Sequence, residues 1–375
     1  MLPGSLTPAL AEQVAHLGTL LPFAEARDLV ERCYRVTLSE PTVRRRTYAA
    51  GQAAEAVEAA FVGKLEESLE RPLESGPERQ QVSADGAMVR LKGGEWKEVR
   101  TLVIGTVAAT KEGPAVSAQS YFSRLCDHET FIRSCRGEFF RRGTENVRDV
   151  EAVMDGADWL LKLVEEHCPE ALLILDFTHA ADAVIDTAHA AFDKGTARCA
   201  AWIGPQLHEL RHGDPNVVLA AMLALSQEDG LTPAATGTIL ARHSYLARRE
   251  DQIQYATFAQ AGYCIGSGMV ESANKHVVQA RLKGAGMQWA TGSVNAILAL
   301  RCADRNGRWA RTWSALAVRL ARPHRRAPAP LAPPPTSTMT PAPLASATVH
   351  PPFFANGKPT RAHPYNRFPA CRAKQ

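Results

Sequence analysis

Hydrophobic positions along the first 70 residues recur at helical spacing. Leu17, Leu20 and Leu21 belong to one segment and residues 24–33 to a second. The turn Tyr34-Arg35-Val36-Thr37-Leu38 leads to Ser39, a good N-cap residue, with Glu40 and Pro41 in the first turn behind it. This predicts a helix with Arg44, Arg45 and Arg46 near its start, continued by a linker helix over residues 49–70. The period then changes. Residues 82–91 and 96–108 read as strands joined through Lys92-Gly93-Gly94-Glu95, a hairpin signal, and residues 115–122 as a third strand. Helical spacing returns over 145–167, where Val150, Val153, Ala157, Leu160, Leu161 and Val164 share a face. Residues 171–176 are apolar until the last, which predicts a buried strand ending in Asp176. Residues 178–260 read as entirely helical, and residues 269–283 as a further helix with Gly284 and Gly286 as breakers.

Three antiparallel strands, a helix and a hydrophobic strand returning beside the first is the order of an RNase H-like core. The expected fold is therefore α/β: an RNase H-like mixed sheet with an α-helical insertion and an N-terminal helical, helix-turn-helix-like region. Its expected parts are residues 1–75, 76–180 (first part of the core), 181–261 (insertion), 262–321 (last part of the core) and 322–375, a Pro-rich disordered tail. In that topology Asp85 and Asp176 fall on neighbouring strands.

Charge changes the picture only locally. The formal net charge of the 375 residues is +4, but residues 323–375 hold no Asp or Glu and seven Lys or Arg, which leaves −3 for the rest. The same stretch holds 13 of the 24 prolines, a composition that does not support a packed core. Any nucleic-acid affinity of the folded part must come from local basic clusters. The eight cysteines form no C-x-x-C pair and match no zinc pattern, which fits reduced thiols. No signal peptide and no membrane-length apolar run is visible, so a cytoplasmic, nucleoid-associated protein without a membrane partner is expected.

Three carboxylates stand out by setting. Asp85 interrupts a strand, Asp176 ends one, and Glu271 opens a helix after a Gly-rich turn, Gly262 to Gly268. A buried carboxylate is costly unless something positive meets it. Three of them around divalent cations make a two-metal phosphoryl-transfer site, in which Mg²⁺ needs only hard oxygen ligands and waters. Singly, each has a plainer reading: Asp85 as a turn residue, Asp176 as the N-cap of the helix from Thr178, Glu271 as a helix-start acid favoured by the macrodipole. Around them, His179 could orient a water or simply pack. Asn274, Lys275, Arg281 and Lys283 on the Glu271 helix could hold phosphates, although Lys275 also suits a surface pair with Glu271. Arg249, with Tyr245, Arg248, Gln252 and Tyr255, makes a polar-aromatic face suited to a DNA groove or to solvent. Arg44, Arg45 and Arg46 suit phosphates and base edges. The pattern His208-Glu209-Leu210-Arg211-His212 matches a zinc-protease motif, but Gly213-Asp214-Pro215 ends that helix at once and no third ligand follows.

Several segments resemble bacterial insertion-sequence transposases of the ISKra4 family. They are Ser83-Ala84-Asp85-Gly86-Ala87-Met88-Val89, Gly93-Gly94-Glu95-Trp96-Lys97-Glu98-Val99, Leu175-Asp176-Phe177-Thr178-His179-Ala180, and the long block from Gly262 through Glu271 to Lys275, continued by residues 280–287. The resemblance spans roughly residues 5–312. It implies a DDE enzyme that uses two Mg²⁺ ions, with Mn²⁺ as a substitute, held by Asp85, Asp176 and Glu271. Its partners would be double-stranded DNA, as element ends and target, and further copies of itself, as a dimer or larger assembly. The His208 segment resembles the family's insertion helix. Members of the family usually carry an additional Cys-containing segment before the helical region, for which this chain has no room, and the Pro-rich tail is not expected of them. Both leave open a truncated or co-opted transposase that binds DNA without cutting it.

Overall fold

A computed structural model describes residues 6–68, 76–111, 113–320, 354–355 and 358–359. The chain divides into two units, Met1–Pro323 and His324–Gln375. In the second, the described residues are two short paired strands, Phe354–Ala355 and Lys358–Pro359. The disorder expected of residues 322–375 otherwise lies outside the described residues.

The first unit is built on a mixed five-stranded sheet of β1 (Arg79–Arg90), β2 (Trp96–Thr110), β3 (Gly113–Arg124), β4 (Asp149–Met154) and β5 (Leu172–Leu175). Their order is β3-β2-β1-β4-β5, with β1–β2 and β2–β3 antiparallel and β1–β4 and β4–β5 parallel. The hairpin at Gly93 and Gly94 forms as expected, both glycines having the positive φ such a turn requires. Helices cover both faces. Val82, Ala84, Leu102 and Ile104 pack against Phe131, Ile132 and Phe139 of α4 (His128–Arg142) and Leu160, Leu163 and Val164 of α5 (Asp158–His167). The opposite face receives α6 (Phe177–Ala191), α11 (Gly268–Ala273) and α13 (Thr291–Arg305).

Residues 145–167 are not one helix. Residues 149–154 form β4, the middle strand of the parallel half, and only Asp158–His167 is helical. Val150 and Val153 satisfy a helical period, and in a strand covered on both sides they fall on opposite faces, Val150 against the α4 and α5 side and Val153 against the α6 side. Gly156, at φ +82°, supplies the break between strand and helix. The correction has a consequence: β4 separates β1 from β5, so Asp85 and Asp176 are not on neighbouring strands.

The N-terminal helices α1 (Pro8–Leu20), α2 (Phe23–Tyr34) and α3 (Glu40–Glu67) follow the sequence closely. Ser39 caps α3, its Oγ accepting from the Thr42 amide at 3.3 Å. The stretch expected as a linker belongs to the same 28-residue helix, whose Ala50 and Ala54 pack on Ala299 and Leu300 of α13. At Gly51 a Cβ would lie 2.2 Å from the Ala296 carbonyl oxygen, so the two helix backbones touch there and only glycine fits. Between β5 and α11 lie α6, α7 (Ala197–His212), α8 (Pro215–Leu225), α9 (Pro233–Ala247) and α10 (Tyr255–Gln260), the all-helical stretch that was expected. The helix expected over 269–283 is interrupted: α11 passes into a π-helical segment, Asn274–Gln279, before α12 (Ala280–Leu282). α14 (Trp309–Leu320) closes the unit. Among the described residues no helix is long and apolar enough to cross a membrane.

Candidate active site

Three aspartates lie in one row across the parallel half of the sheet. The β1–β4 register pairs Val82 with Ala152, and carried onward in step it sets Asp85 beside Asp155. The β4–β5 register pairs Met154 with Leu175, so Asp155 lies beside Asp176, whose amide donates to the Met154 carbonyl at 2.8 Å. Adjacent strands are roughly 4.8 Å apart, which puts Asp85 and Asp176 about 10 Å apart at the backbone. Asp155 stands between them. Its place at the end of a parallel strand could be read from the sequence only by recognising that an apolar run, Ala152-Val153-Met154, stops at Asp-Gly.

The three are held differently. Asp85 accepts from the Gly86 amide at 2.6 Å and from Asn274 Nδ2 at 2.9 Å. Burial pushes its carboxyl above the usual carboxylate range; the Gly86 amide opposes that, the negative Asp155 adds to it, and His179 and Asn274 draw it down. Asp155 accepts from the Ala157 amide at 2.8 Å, and its turn is fixed from α9 and the residues just past it. The Tyr245 hydroxyl donates to the Asp155 carbonyl at 2.7 Å and Arg249 to the Gly156 carbonyl at 2.6 Å. Asp176, only 3% exposed, uses both oxygens: Oδ1 takes the Thr178 amide at 2.6 Å and the His179 amide at 3.4 Å, and Oδ2 the Ser267 amide at 2.5 Å. It caps α6 and ties down the segment entering α11.

Glu271 stands apart. It lies in the first turn of α11, 59% exposed, with Lys275 4.0 Å away as its ion-pair partner. Such an exposed pair is worth a few tenths of a kcal/mol. Asn274, one turn further along, is 4% exposed and directed to Asp85 rather than to solvent. Its Oδ1 is buried without a partner. His179, Lys275 and Lys283 are exposed, as are Arg44, Arg45 and Arg46, of which Arg44 meets Glu40 at 3.5 Å.

Three residues expected at a DNA surface are committed to partners within the protein, Arg281 and Asn274 buried and Arg249 half-buried. Arg281 is 2% exposed, lies between the Phe23 and Trp289 rings and donates to the Gly18 carbonyl at 3.2 Å. It joins α1 to the core, and burial lowers its guanidinium to about 10. Arg249 holds the Gly156 turn, and Asn274 holds Asp85. Neither position was legible, because each depends on a carbonyl or carboxylate distant in the chain. Arg301, buried likewise, donates to the His276 and Val277 carbonyls of the π-helical segment.

Beneath the aspartate row, on the same face of β4, lies Glu151. It is fully buried beside Gln81, and its oxygens accept from the Cys264 amide at 3.2 and 3.3 Å. Burial pushes it up to about 7, against the pull of that amide and of Arg79. The motif His208–His212 forms a ring contact at 5.0 Å, and Glu209 Oε1 accepts from the Asp214 amide, ending the helix as expected. The seven described cysteines are free thiols.

Among the described residues no group of three His, Cys, Asp or Glu side chains is arranged to hold a metal ion. The donors around Asp85 nonetheless fit a hard divalent cation. Two carboxylates, Asp85 and Asp155, stand side by side there and the Asn274 amide oxygen lacks a partner, whereas no sulfur donor takes part. No protein-family model matches the chain, and no curated protein matches its sequence.

Proposed function

We propose that the chain is a metal-dependent DNA transposase of the DDE type, acting on phosphodiesters through the aspartate row of an RNase H-like core. The observation that carries this reading is the placement of Asp85 and Asp155 side by side on adjacent parallel strands, next to the helix that bears Glu271. Sheet order supports it: a hairpin-linked antiparallel half, and a parallel half whose strand ends carry the acids.

In this reading Asp85 and Asp155 hold Mg²⁺, with Glu271 as the third acid and Asn274 orienting Asp85. The ion, when bound, lowers the barrier by activating the attacking oxygen and steadying the leaving one. Asp176 is the alternative to Asp155, and the sequence motif favours it. Its two oxygens already accept three backbone amides, which favours a positioning role: it holds α6, with His179 in its first turn, and the entry to α11. His179, near enough to lower the Asp85 carboxyl, is placed to orient a water. Lys275 and Lys283 supply exposed cations for phosphates, and Arg44, Arg45 and Arg46 contact the duplex. Strand transfer needs two DNA ends together, hence a dimer or larger assembly.

The test is cleavage and joining of duplexes carrying the DNA that flanks its reading frame, in Mg²⁺ and in Mn²⁺, by the parent, Asp85→Asn, Asp155→Asn and Asp176→Asn. Loss of cutting in the first two, with duplex binding kept, is expected. Cutting by Asp85→Asn at the parent's rate would end the proposal. A second reading, a DNA-binding protein without catalysis, draws on Glu271 standing apart from the row; binding without joining under either metal would select it.

A further inference from the structure

A second site adjoins the aspartate row. An open cleft of about 680 Å³ lies between the rim of the β2–β3 hairpin, α7 and the loop that leads into α11. Gln81, Gln119, Arg211, Tyr263 and Gly266 line it. Gln81 is fully buried; its Nε2 donates to the Gly266 carbonyl at 3.1 Å, and its Oε1 is without a partner. A buried amide oxygen left unpaired costs roughly 1–3 kcal/mol, which a ligand donor reaching it would recover. Gln119 follows Ala118, a non-glycine residue at φ +46°, where the β2–β3 register shifts. Such bulges re-aim side chains at sheet rims. Arg211 rests 5.0 Å over the Phe177 ring and takes part in none of the ion pairs among the described residues.

We infer that this cleft binds one unpaired nucleotide of the DNA substrate. Gln81 Oε1 offers an acceptor and Gln119 Nε2 a donor to a base edge, Gln119 Oε1 being taken by the Tyr121 hydroxyl at 3.0 Å, and Arg211 offers a planar cation for a phosphate. The volume falls within the range of small-molecule sites. Gln81 and Asp85 share one face of β1, roughly 13 Å apart by the rise of a strand. A strand entering the cleft therefore passes toward the reacting acids, while a paired base, tied to its complement, is excluded. This inference rests on the proposed action on DNA.

Gly266 gives a clean way to block the cleft. A Cβ there meets nothing within 4 Å, and its φ lies outside the left-handed region. Fluorescence anisotropy would compare a blunt duplex with the same duplex carrying a three-nucleotide single-stranded end. The parent is expected to bind the second about tenfold more tightly. Gly266→Leu and Arg211→Ala are each expected to reduce that preference below about twofold, with blunt-duplex affinity unchanged. No preference in the parent, or a preference kept in both variants, would overturn the inference. A parent that cuts DNA yet shows no preference removes the cleft alone. A parent that shows the preference and loses it in both variants, yet cuts nothing, removes the catalytic reading alone.

Discussion

The ends of β4 and β5 pose the same electrostatic problem and answer it differently. Each is an apolar strand that stops at an aspartate, and the two are neighbours in the sheet. At the end of β5, Asp176 is surrounded by amides from two helix starts, so its charge is met by the backbone. At the end of β4, Asp155 takes one amide and faces Asp85, so repulsion remains. Peptide dipoles can make a buried carboxylate a structural fixture; a carboxylate beside another is eased by a proton or by a cation. Four residues below Asp155, Glu151 shows a third answer, which is to hold its proton to about pH 7.

The sharpest test of the contrast exchanges Asp for Asn at each strand end. Asp155→Asn is expected to lower metal-dependent cleavage by at least about a thousandfold without lowering Tm, because it removes a charge next to Asp85 and keeps the oxygen that accepts from the Ala157 amide. Should Asp155→Asn cut normally while Asp176→Asn folds and is inactive, the two roles are reversed.

Glu151 sets the next largest effect. Its folded pKa lies above the unfolded value, so between about pH 4.5 and 7 the native state holds a proton that the unfolded chain has released. Stability should therefore fall as pH rises through that window, by roughly 3 kcal/mol at most. Denaturant unfolding of Glu151→Gln should show that slope abolished, with the variant the more stable above pH 7.

Asp176→Asn comes third. Replacing one oxygen by an NH₂ turns the Ser267 contact from attraction to repulsion, at a cost of about 2 kcal/mol, read as a Tm lower by about 5 °C. An unchanged Tm would mean that the amides do not depend on the charge. The smallest effect lies away from the sheet. Arg45→Ala with Arg46→Ala should weaken duplex binding severalfold and reduce its salt slope by about 2, leaving cleavage at saturating DNA as it was.

Local signals in the chain carried far. Ser39 announced the start of α3 because a cap is read within three residues, and Lys92-Gly93-Gly94-Glu95 announced the hairpin for the same reason. Asp85 and Asp176 could be singled out because a charge breaking an apolar run is visible without any partner. β4 could not, since Val150 and Val153 fit a helical period and its partners lie about 70 residues before it and 21 after. Arg281 and Arg249 looked like free cations because the carbonyls that bind them, of Gly18 and Gly156, lie far off in sequence.

By itself, then, the sequence determined the α/β class, the helical N-terminal region, the long helical stretch after β5 and which acids interrupt apolar runs. These follow from backbone propensity and burial pattern, which act over a few residues. Only the tertiary structure decided that β4 lies between the two chosen aspartates, that Asp155 faces Asp85, and that Asp176 is spent on backbone amides. Parallel strands are joined through long crossovers, so their register is set by the packing of helices on both faces rather than by any local signal.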